Sequence, residues 1–298
     1  MNYSKAAFKS GFVAIIGAPN AGKSTLLNQM LGQKISITSN RPQTTRNRIL
    51  GIVQRPVCQI ILLDTPGIHK AKHMLNIRIV EAALATIADV DLILIVADTA
   101  FPNQGAEQIL IKSLQNHTKP LMLALNKIDL IKNIHLLGHI EKWSKACNFE
   151  SIIPISAKNG SQVEDLLVAI EKYLPVGPPL YPKDSLTDLP ERFIVAEMIR
   201  EKVFRLTGQE IPYAVAVTID SFKENKGGLV SIYASIHVER DSQKGIIIGK
   251  KGSKLKQIGE AARKDIERML GTRVFLKLFV RVQKNWSKDT RALRNFGY

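Results

Sequence analysis

Short apolar runs alternate with helix-like segments over roughly the first 174 residues. The apolar runs are Phe12–Ile16, Ile49–Val53, Gln59–Leu63, Leu92–Ala97, Leu121–Leu125 and Ile152–Ile155. Each has the length of a buried strand. Between them, apolar positions recur at helical spacing around 22–31, 75–88, 104–115, 134–146 and 162–173. This alternation predicts an α/β domain, a mostly parallel sheet with helices on both faces. Too little chain separates 49–53 from 58–63 for a crossover helix. That pair is expected to form an antiparallel hairpin at one sheet edge.

The pattern breaks at Pro175-Val176-Gly177-Pro178-Pro179-Leu180-Tyr181-Pro182. Such proline density predicts a stiff, extended linker, because each ring fixes φ and removes a donor. Beyond it, Phe193, Ala196, Ile199, Val203 and Leu206 mark a helix that ends at Gly208. Strand-like runs Ala214–Ile219 and Leu229–Val238 follow, joined through Lys226-Gly227-Gly228. Next come the stretch Lys244–Gly252, a helix from Ser253 to about Leu270 and a last strand, Arg273–Val282. The expected organisation is an α/β domain over 1–176, a linker over 177–190, an α+β domain over 191–285 and a basic tail over 286–298.

Composition narrows the class. A chain of 298 residues exceeds the usual size of a single core, which favours two domains. With 45% hydrophobic and 23% charged residues it reads as a soluble globular protein. No apolar run approaches the ~20 residues that span a bilayer. The start, Met1-Asn2-Tyr3-Ser4-Lys5, carries no signal-peptide apolar region. Cys58 and Cys147 sit at no metal-ligand spacing, so the cytoplasm is the expected compartment. The net charge of +16 is uneven: +7 up to Pro175 and +9 in the shorter remainder. A densely basic second half points to a polyanionic partner.

Candidate chemistry falls at the ends of the predicted strands. Gly17-Ala18-Pro19-Asn20-Ala21-Gly22-Lys23-Ser24 fits G-x-x-x-x-G-K-[ST] between a strand and a helix, the signature of a phosphate-binding loop, with Thr25 opening the helix. Its backbone N–H groups and the helix N-terminus suit a phosphate. Lys23 is placed to reach β- and γ-phosphates, and the Ser24 hydroxyl to ligate Mg²⁺. Asp64-Thr65-Pro66-Gly67 follows the third run; its acid suits Mg²⁺ through water and its Gly67 N–H suits the γ-phosphate, although the tetrapeptide alone also fits a plain turn. Asn126-Lys127-Ile128-Asp129 follows the fifth run. A carboxylate there accepts from guanine N1–H and the 2-amino group, donors that adenine lacks at those places. Asn126 is expected to tie this turn to the phosphate loop, with the Lys127 stem over the base. Ser156-Ala157-Lys158 follows the sixth run, with the Ala157 N–H expected at guanine O6.

Four motifs in this order resemble the P-loop GTPases. The resemblance implies a switch I threonine, Thr44 or Thr45, on Mg²⁺ and the γ-phosphate, and mobile switch segments. Thr45 is favoured, which makes Lys23, Thr45 and Gly67 the expected catalytic positions and Ser24, Thr45 and Asp64 the expected metal positions. Ras-like relatives carry a water-orienting glutamine directly after D-x-x-G. Ile68 stands there in this chain, so slow intrinsic hydrolysis is expected. Resemblance to GTPases with G-x-P-N-x-G-K-S loops further implies a potassium ion held near the phosphates by Asn20.

In the second half, Gly249-Lys250-Lys251-Gly252 lies between the apolar run Ile246-Ile247-Ile248 and an amphipathic helix. A G-x-x-G loop so placed is the signature of a KH domain, whose glycines admit a single strand's sugar-phosphate chain. The element order is similar to the type II arrangement. Ile248, Gly249, Lys250, Lys251, Gly252, Lys254 and Lys256 are the expected RNA contacts. Ile246, Ile247, Ile248 and Ile258 are split between groove floor and core. Trp286 in the tail is either a stacking residue or part of a solvated end.

A GTPase domain joined through a Pro-rich linker to a type II KH domain resembles the Era family from about Phe12 to about Trp286. Leu31–Ser39, Gln43-Thr44-Thr45-Arg46 and Asp64–His69 belong to the match. The resemblance implies a GTP-hydrolysing switch that binds the 3′ end of 16S ribosomal RNA and acts in small-subunit assembly. It also implies peripheral association with the inner membrane, for which this chain offers only basic charge. A monomer is expected. The alternative reading is an RNA-binding factor that uses GTP only as a conformational ligand.

Overall fold

The computed structural model describes residues 7–38, 48–65, 67, 89–114, 117–207, 211, 215–225, 227–289, 291 and 296. The helical pattern at 75–88, Thr44, Thr45, Pro66 and Ile68 lie outside these. Contacts divide the chain into two compact units: Met1–Ser36 with Thr45–Asp188, and Ile37–Thr44 with Leu189–Tyr298.

The first unit is built on six strands: β1 (Lys9–Gly17), β2 (Ile49–Gln54), β3 (Cys58–Asp64), β4 (Leu92–Asp98), β5 (Leu121–Asn126) and β6 (Ser151–Pro154). Their order across the sheet is β2-β3-β1-β4-β5-β6. β2 and β3 are antiparallel, as the short connection requires, and the other pairings are parallel. Leu92–Asp98 is buried along its whole length, which explains why that strand reads as a continuous apolar run rather than an alternating one. The described helices are α1 (Lys23–Leu31), α2 (Gln104–Leu114), α3 (Asn133–Ala146) and α4 (Val163–Tyr173). Leu110, Leu114 and Trp143 join the sheet's apolar residues in one core cluster. Each such buried side chain contributes about 1.5–3 kcal/mol.

The proline-rich segment is extended, yet it is a strap rather than a free spacer. Buried Gln59 accepts at Oε1 from Leu180 N–H (2.7 Å) and Tyr181 N–H (2.9 Å), and its Nε2 donates to Tyr181 O at 2.8 Å. Ile52 N–H donates to Leu186 O, and Thr187 Oγ1 donates to Leu50 O. Prolines lack donors but keep their carbonyls, so the strap pairs through its non-proline N–H groups and its oxygens.

The second unit contains α5 (Glu191–Thr207), β7 (Ala216–Glu224), β8 (Val230–Val238), α6 (Asp241–Ile248), α7 (Ser253–Leu270) and β9 (Val274–Val282). β8 lies between β7 (antiparallel) and β9 (parallel). β7 runs to Glu224, beyond the expected Ile219, because a bulge between Ile219 and Ser221 interrupts the alternation. The run before the G-x-x-G loop is helical: Gln243 Oε1 accepts from Glu239 and Arg240 N–H and starts α6. Trp286 is 1% exposed. Its ring meets Phe296 edge-on at 5.0 Å, so it belongs to the packed interior and takes neither role expected for the tail.

Candidate functional site

The parallel strands β1, β4 and β5, together with β3, end on one side of the first sheet, where α/β sheets place their ligands. The loop after β1 opens α1 with no side-chain cap on its first turn. An anion at this turn would meet backbone N–H groups and the positive end of the helix. Gly22 sits at φ +99°, and a Cβ there would lie 2.2 Å from Asn126 Nδ2, so the close approach demands glycine. Gly17, Ala18 and Ala21 are buried, Pro19 and Thr25 are half-buried, and Asn20 is exposed with φ +64°.

Lys23 is buried, its Nζ donating to Gly17 O (3.1 Å) and Ala18 O (2.9 Å). Burial lowers its pKa to about 8, opposed by the nearby Asp64 carboxylate. Asp64, at the end of β3, is fully buried. Its Oδ2 accepts from Ser24 Oγ at 2.6 Å and from Ser36 Oγ at 3.1 Å. Its Oδ1 is buried without a hydrogen-bond partner among the described residues. Burial raises the Asp64 pKa, while Lys23, Ser24 and Ser36 pull it down. A buried carboxylate oxygen left over beside a serine hydroxyl suits a hard cation that takes oxygen ligands. No group of three or more His, Cys, Asp and Glu that could hold a metal occurs among the described residues. Magnesium needs none, since one or two protein oxygens and substrate phosphates suffice. The Thr65 hydroxyl donates back to Ile15 O at 2.9 Å and fixes the strand end.

Asn126 ends β5 and holds two loops. Its Nδ2 donates to Ala21 O at 2.7 Å and its Oδ1 accepts from Ala157 N–H at 2.9 Å. The first bond is the expected tie to the phosphate loop. The second differs from expectation: in this structure the Ala157 N–H, assigned from sequence to guanine O6, is taken by Asn126 and 1% exposed. Exposed Asp129 accepts at Oδ1 from Ser156 Oγ at 2.6 Å, and Ile128 lies between in a 3-10 turn. Lys127 reaches Asp98 Oδ2 at 2.5 Å, with Nζ 5.9 Å from the Phe101 ring centroid. Lys158 is exposed.

Three contributors escaped the sequence reading. Asp98 orients Lys127 and is placed by its register opposite Asn126. Ser36 shares the Asp64 oxygen with Ser24. Asn28 holds Ser36 there, accepting from Ile35 and Ser36 N–H at 3.0 Å and donating to Ser36 O at 2.7 Å. None lies in a recognisable spacing. The one available signal was Asp98 at the end of an apolar strand, on the same side as the other motifs.

In the second unit, Gly249 N–H closes α6 on Gly245 O. Gly249 (φ +69°, ψ 178°) and Gly252 (φ +78°) flank Lys250 and Lys251, both exposed. Lys256 is exposed, and Lys254 and Ile248 are half-buried. Ile247 and Ile258 are core at 0% exposure, and Ile246 is half-buried. The backbone therefore offers an open turn with two cations at its apex.

A phosphate loop, a buried strand-end acid and an N-K-x-D turn on this sheet define a P-loop GTPase domain, here followed by an α+β unit with a G-x-x-G loop. A family model described as a 50S ribosome-binding GTPase matches residues 12–127, and a KH domain model matches residues 210–287. GTPase Era of Geotalea uraniireducens is 55% identical over 291 residues, 98% of both chains. GTPase Era of Geobacter metallireducens is 56% identical over 292 residues, also 98% of both. The chain belongs to the GTPase Era family. The crystal structure of a tyrosine-to-alanine variant of Aquifex aeolicus Era bound to GDP·AlF4⁻ superposes with a TM-score of 0.92 at 41% identity, covering 98% of this chain and 99% of that one. A structure of Era with MgGDPNP and nucleotides 1506–1542 of 16S ribosomal RNA gives 0.90, with the same identity and coverage. No helix among the described residues is long and apolar enough to cross a membrane.

Proposed function

We propose that this chain is a GTP-controlled RNA-binding switch that grips the 3′ end of 16S ribosomal RNA and acts in small-subunit assembly. The observation that carries the nucleotide half is the convergence of the Gly17–Ser24 loop, Asp64 and Asn126 at adjoining strand ends. The RNA half rests on the open G-x-x-G turn and on the RNA held by the related Era structure.

In this reading the loop N–H groups from Gly17 to Thr25 wrap the phosphates, and Lys23 leaves its carbonyl partners to meet the β- and γ-oxygens. Ser24 and Asp64, with Thr45 or Thr44, hold Mg²⁺, which when bound neutralises charge on the transferring phosphoryl group. Gly67, flanked by Thr65, Pro66 and Ile68, meets the γ-phosphate through its N–H. Asp129, set by Ser156, selects guanine, while Lys127, set by Asp98, covers the base. Ile128, Ala157 and Lys158 close its edge. Ile68 offers no hydrogen bond to water, so unaided hydrolysis is slow; Asn20 with potassium is the proposed aid. Lys250 and Lys251 meet RNA phosphates and Ile248, Lys254 and Lys256 flank the strand. The protein is proposed to act as a cytoplasmic monomer whose basic charge allows peripheral contact with anionic membrane.

Single-turnover GTP hydrolysis by the full chain, with and without small subunits, in potassium and in sodium, tests the enzyme reading. Hydrolysis accelerated by potassium or by the subunit is expected. Its absence under every condition overturns the reading in favour of a GTP-sensing RNA binder, which Ile68 makes the second candidate.

A further inference from the structure

Among the described residues, α5 packs on β7 and α7 on β9 in the second unit's sheet. Ile232, Ala234 and Ile236 of β8 are wholly buried beneath them. Pairing register assigns the opposite face. Tyr233 stands beside Lys277 and Ser221, Ser231 beside Phe275 and Lys223, and His237 beside Arg281. On this face Tyr233, Phe275 and Phe279 are 36%, 47% and 39% exposed. Scattered exposed apolar residues are ordinary. Three rings on two adjacent strands of one sheet face are not scattered.

The rings are interleaved with cations. Tyr233 and Phe275 lie 6.0 Å apart between centroids, tilted by 59°, and Lys277 Nζ is 5.4 Å from the Phe279 centroid. Lys223, Lys277 and Arg281 are exposed, and against them stands Asp220, 3.4 Å from Arg281. Beyond Phe275 the surface opens into a cleft of about 1000 Å³ whose walls include Phe275, Arg263 and Arg273. Glu267, also on its wall, spends one oxygen on Val274 N–H. At the other end Phe296 lies 4.6 Å from the His237 ring, while Tyr233, Phe275 and Phe279 each keep a third or more of their surface exposed.

We propose that the outer face of β7, β8 and β9 is a second surface for single-stranded RNA, independent of the Gly249–Gly252 loop. Tyr233, Phe275 and Phe279 stack on bases; Lys277, Arg281, Arg273 and Arg263 meet phosphates. Phe275 and Phe279 are four residues apart on one strand, which sets two stacking positions about 13 Å apart. A protein partner is the poorer fit, because protein interfaces deplete charge at their centre. Rings alternating with cations match a strand that is polyanionic outside and aromatic inside.

The test uses the full chain and a 4-thiouridine-substituted uridine homopolymer long enough to cover both surfaces. Phe275→Ser with Phe279→Ser is measured in the wild-type background and in Lys250→Asp/Lys251→Asp. RNA affinity falls at least about thirtyfold in both backgrounds, GTP affinity holds, and photocrosslinks reach Tyr233 or Phe275. Lys277→Glu, which removes no ring, lowers affinity and flattens the salt dependence, so the result survives if the double variant melts early. Unchanged affinity in both backgrounds, or crosslinks confined to 245–256, overturns the proposal. So does sedimentation in which the ring variant abolishes self-association and spares RNA, which assigns the face to a second copy. Failure of the loop variant alone counts against the loop reading and leaves this one standing.

Discussion

The Asn126 side-chain amide donates to the Ala21 carbonyl at 2.7 Å, joining segments 105 residues apart in the chain. Its oxygen accepts from Ala157 N–H, so one strand-end residue sets the phosphate loop and the base side together. Asn126→Ala leaves the Ala21 carbonyl and the Ala157 N–H unpaired in a buried place. The expected cost is about 2–4 kcal/mol of stability, with weakened GDP and GTP binding. Asn126→Asp keeps the Ala157 bond but sets a carboxylate against the Ala21 carbonyl, so it loses nucleotide affinity too. Thermal unfolding and nucleotide titration check both.

Lys23 gives the site a pH dependence. Burial holds its pKa at about 8, below the 10.5 of an unfolded chain. Between those values the unfolded chain binds the proton and the folded chain does not, so stability rises with pH across that window. Nucleotide phosphates favour the ammonium form, so GDP and GTP affinity is full below about pH 8 and falls above it. Lys23→Met lowers affinity and flattens the profile. Titration across the neutral to alkaline range, on both sides of the Lys23 pKa, decides; a parallel fall in the Met variant contradicts the assignment.

Base choice is proposed to rest on Asp129. Asp129→Asn reverses one donor–acceptor pair and shifts preference from GTP to xanthosine triphosphate. Ser156 touches the carboxylate from behind at 2.6 Å, so Ser156→Ala weakens GTP by a smaller factor without changing the preferred base. Competition binding with the two triphosphates separates these outcomes.

The two glycines of the second unit's loop are not equivalent. Gly249 occupies φ +69°, ψ 178°, a region essentially closed to other residues, and a Cβ there would lie 2.7 Å from Lys254 Cβ. Gly252 has φ +78°, ψ 6°, with open space where a Cβ would be. Gly249→Ala is expected to cost about 1–3 kcal/mol and disturb the turn, whereas Gly252→Asn stays within about 1 kcal/mol. Denaturant unfolding measures both.

Much of this was legible in the sequence because it is local. The loop from Gly17 to Ser24 and the apolar runs are contiguous, and the three residues between β2 and β3 leave no alternative to a hairpin. What was not legible depends on register and through-space assembly. Asp98 meets Lys127 only because β4 and β5 pair Asp98 with Asn126. Ser36 reaches Asp64 only because Asn28 holds the intervening turn. The length of β7 was hidden by its bulge, and the burial of Trp286 by a partner ten residues on. The proline-rich segment reads as a spacer by composition, and Gln59, far away in sequence, turns it into a strap.

The nucleotide at Gly17–Ser24 is proposed to control the grip on RNA in the second unit. The most direct measurement is the affinity of the full chain for RNA of the 16S 3′ end, in saturating Mg²⁺ with GDPNP and then with GDP. Binding is expected to be at least about tenfold tighter with GDPNP, a coupling of about 1.4 kcal/mol or more, with the difference lost in Lys250→Asp/Lys251→Asp. Equal affinity in the two nucleotide states would contradict it.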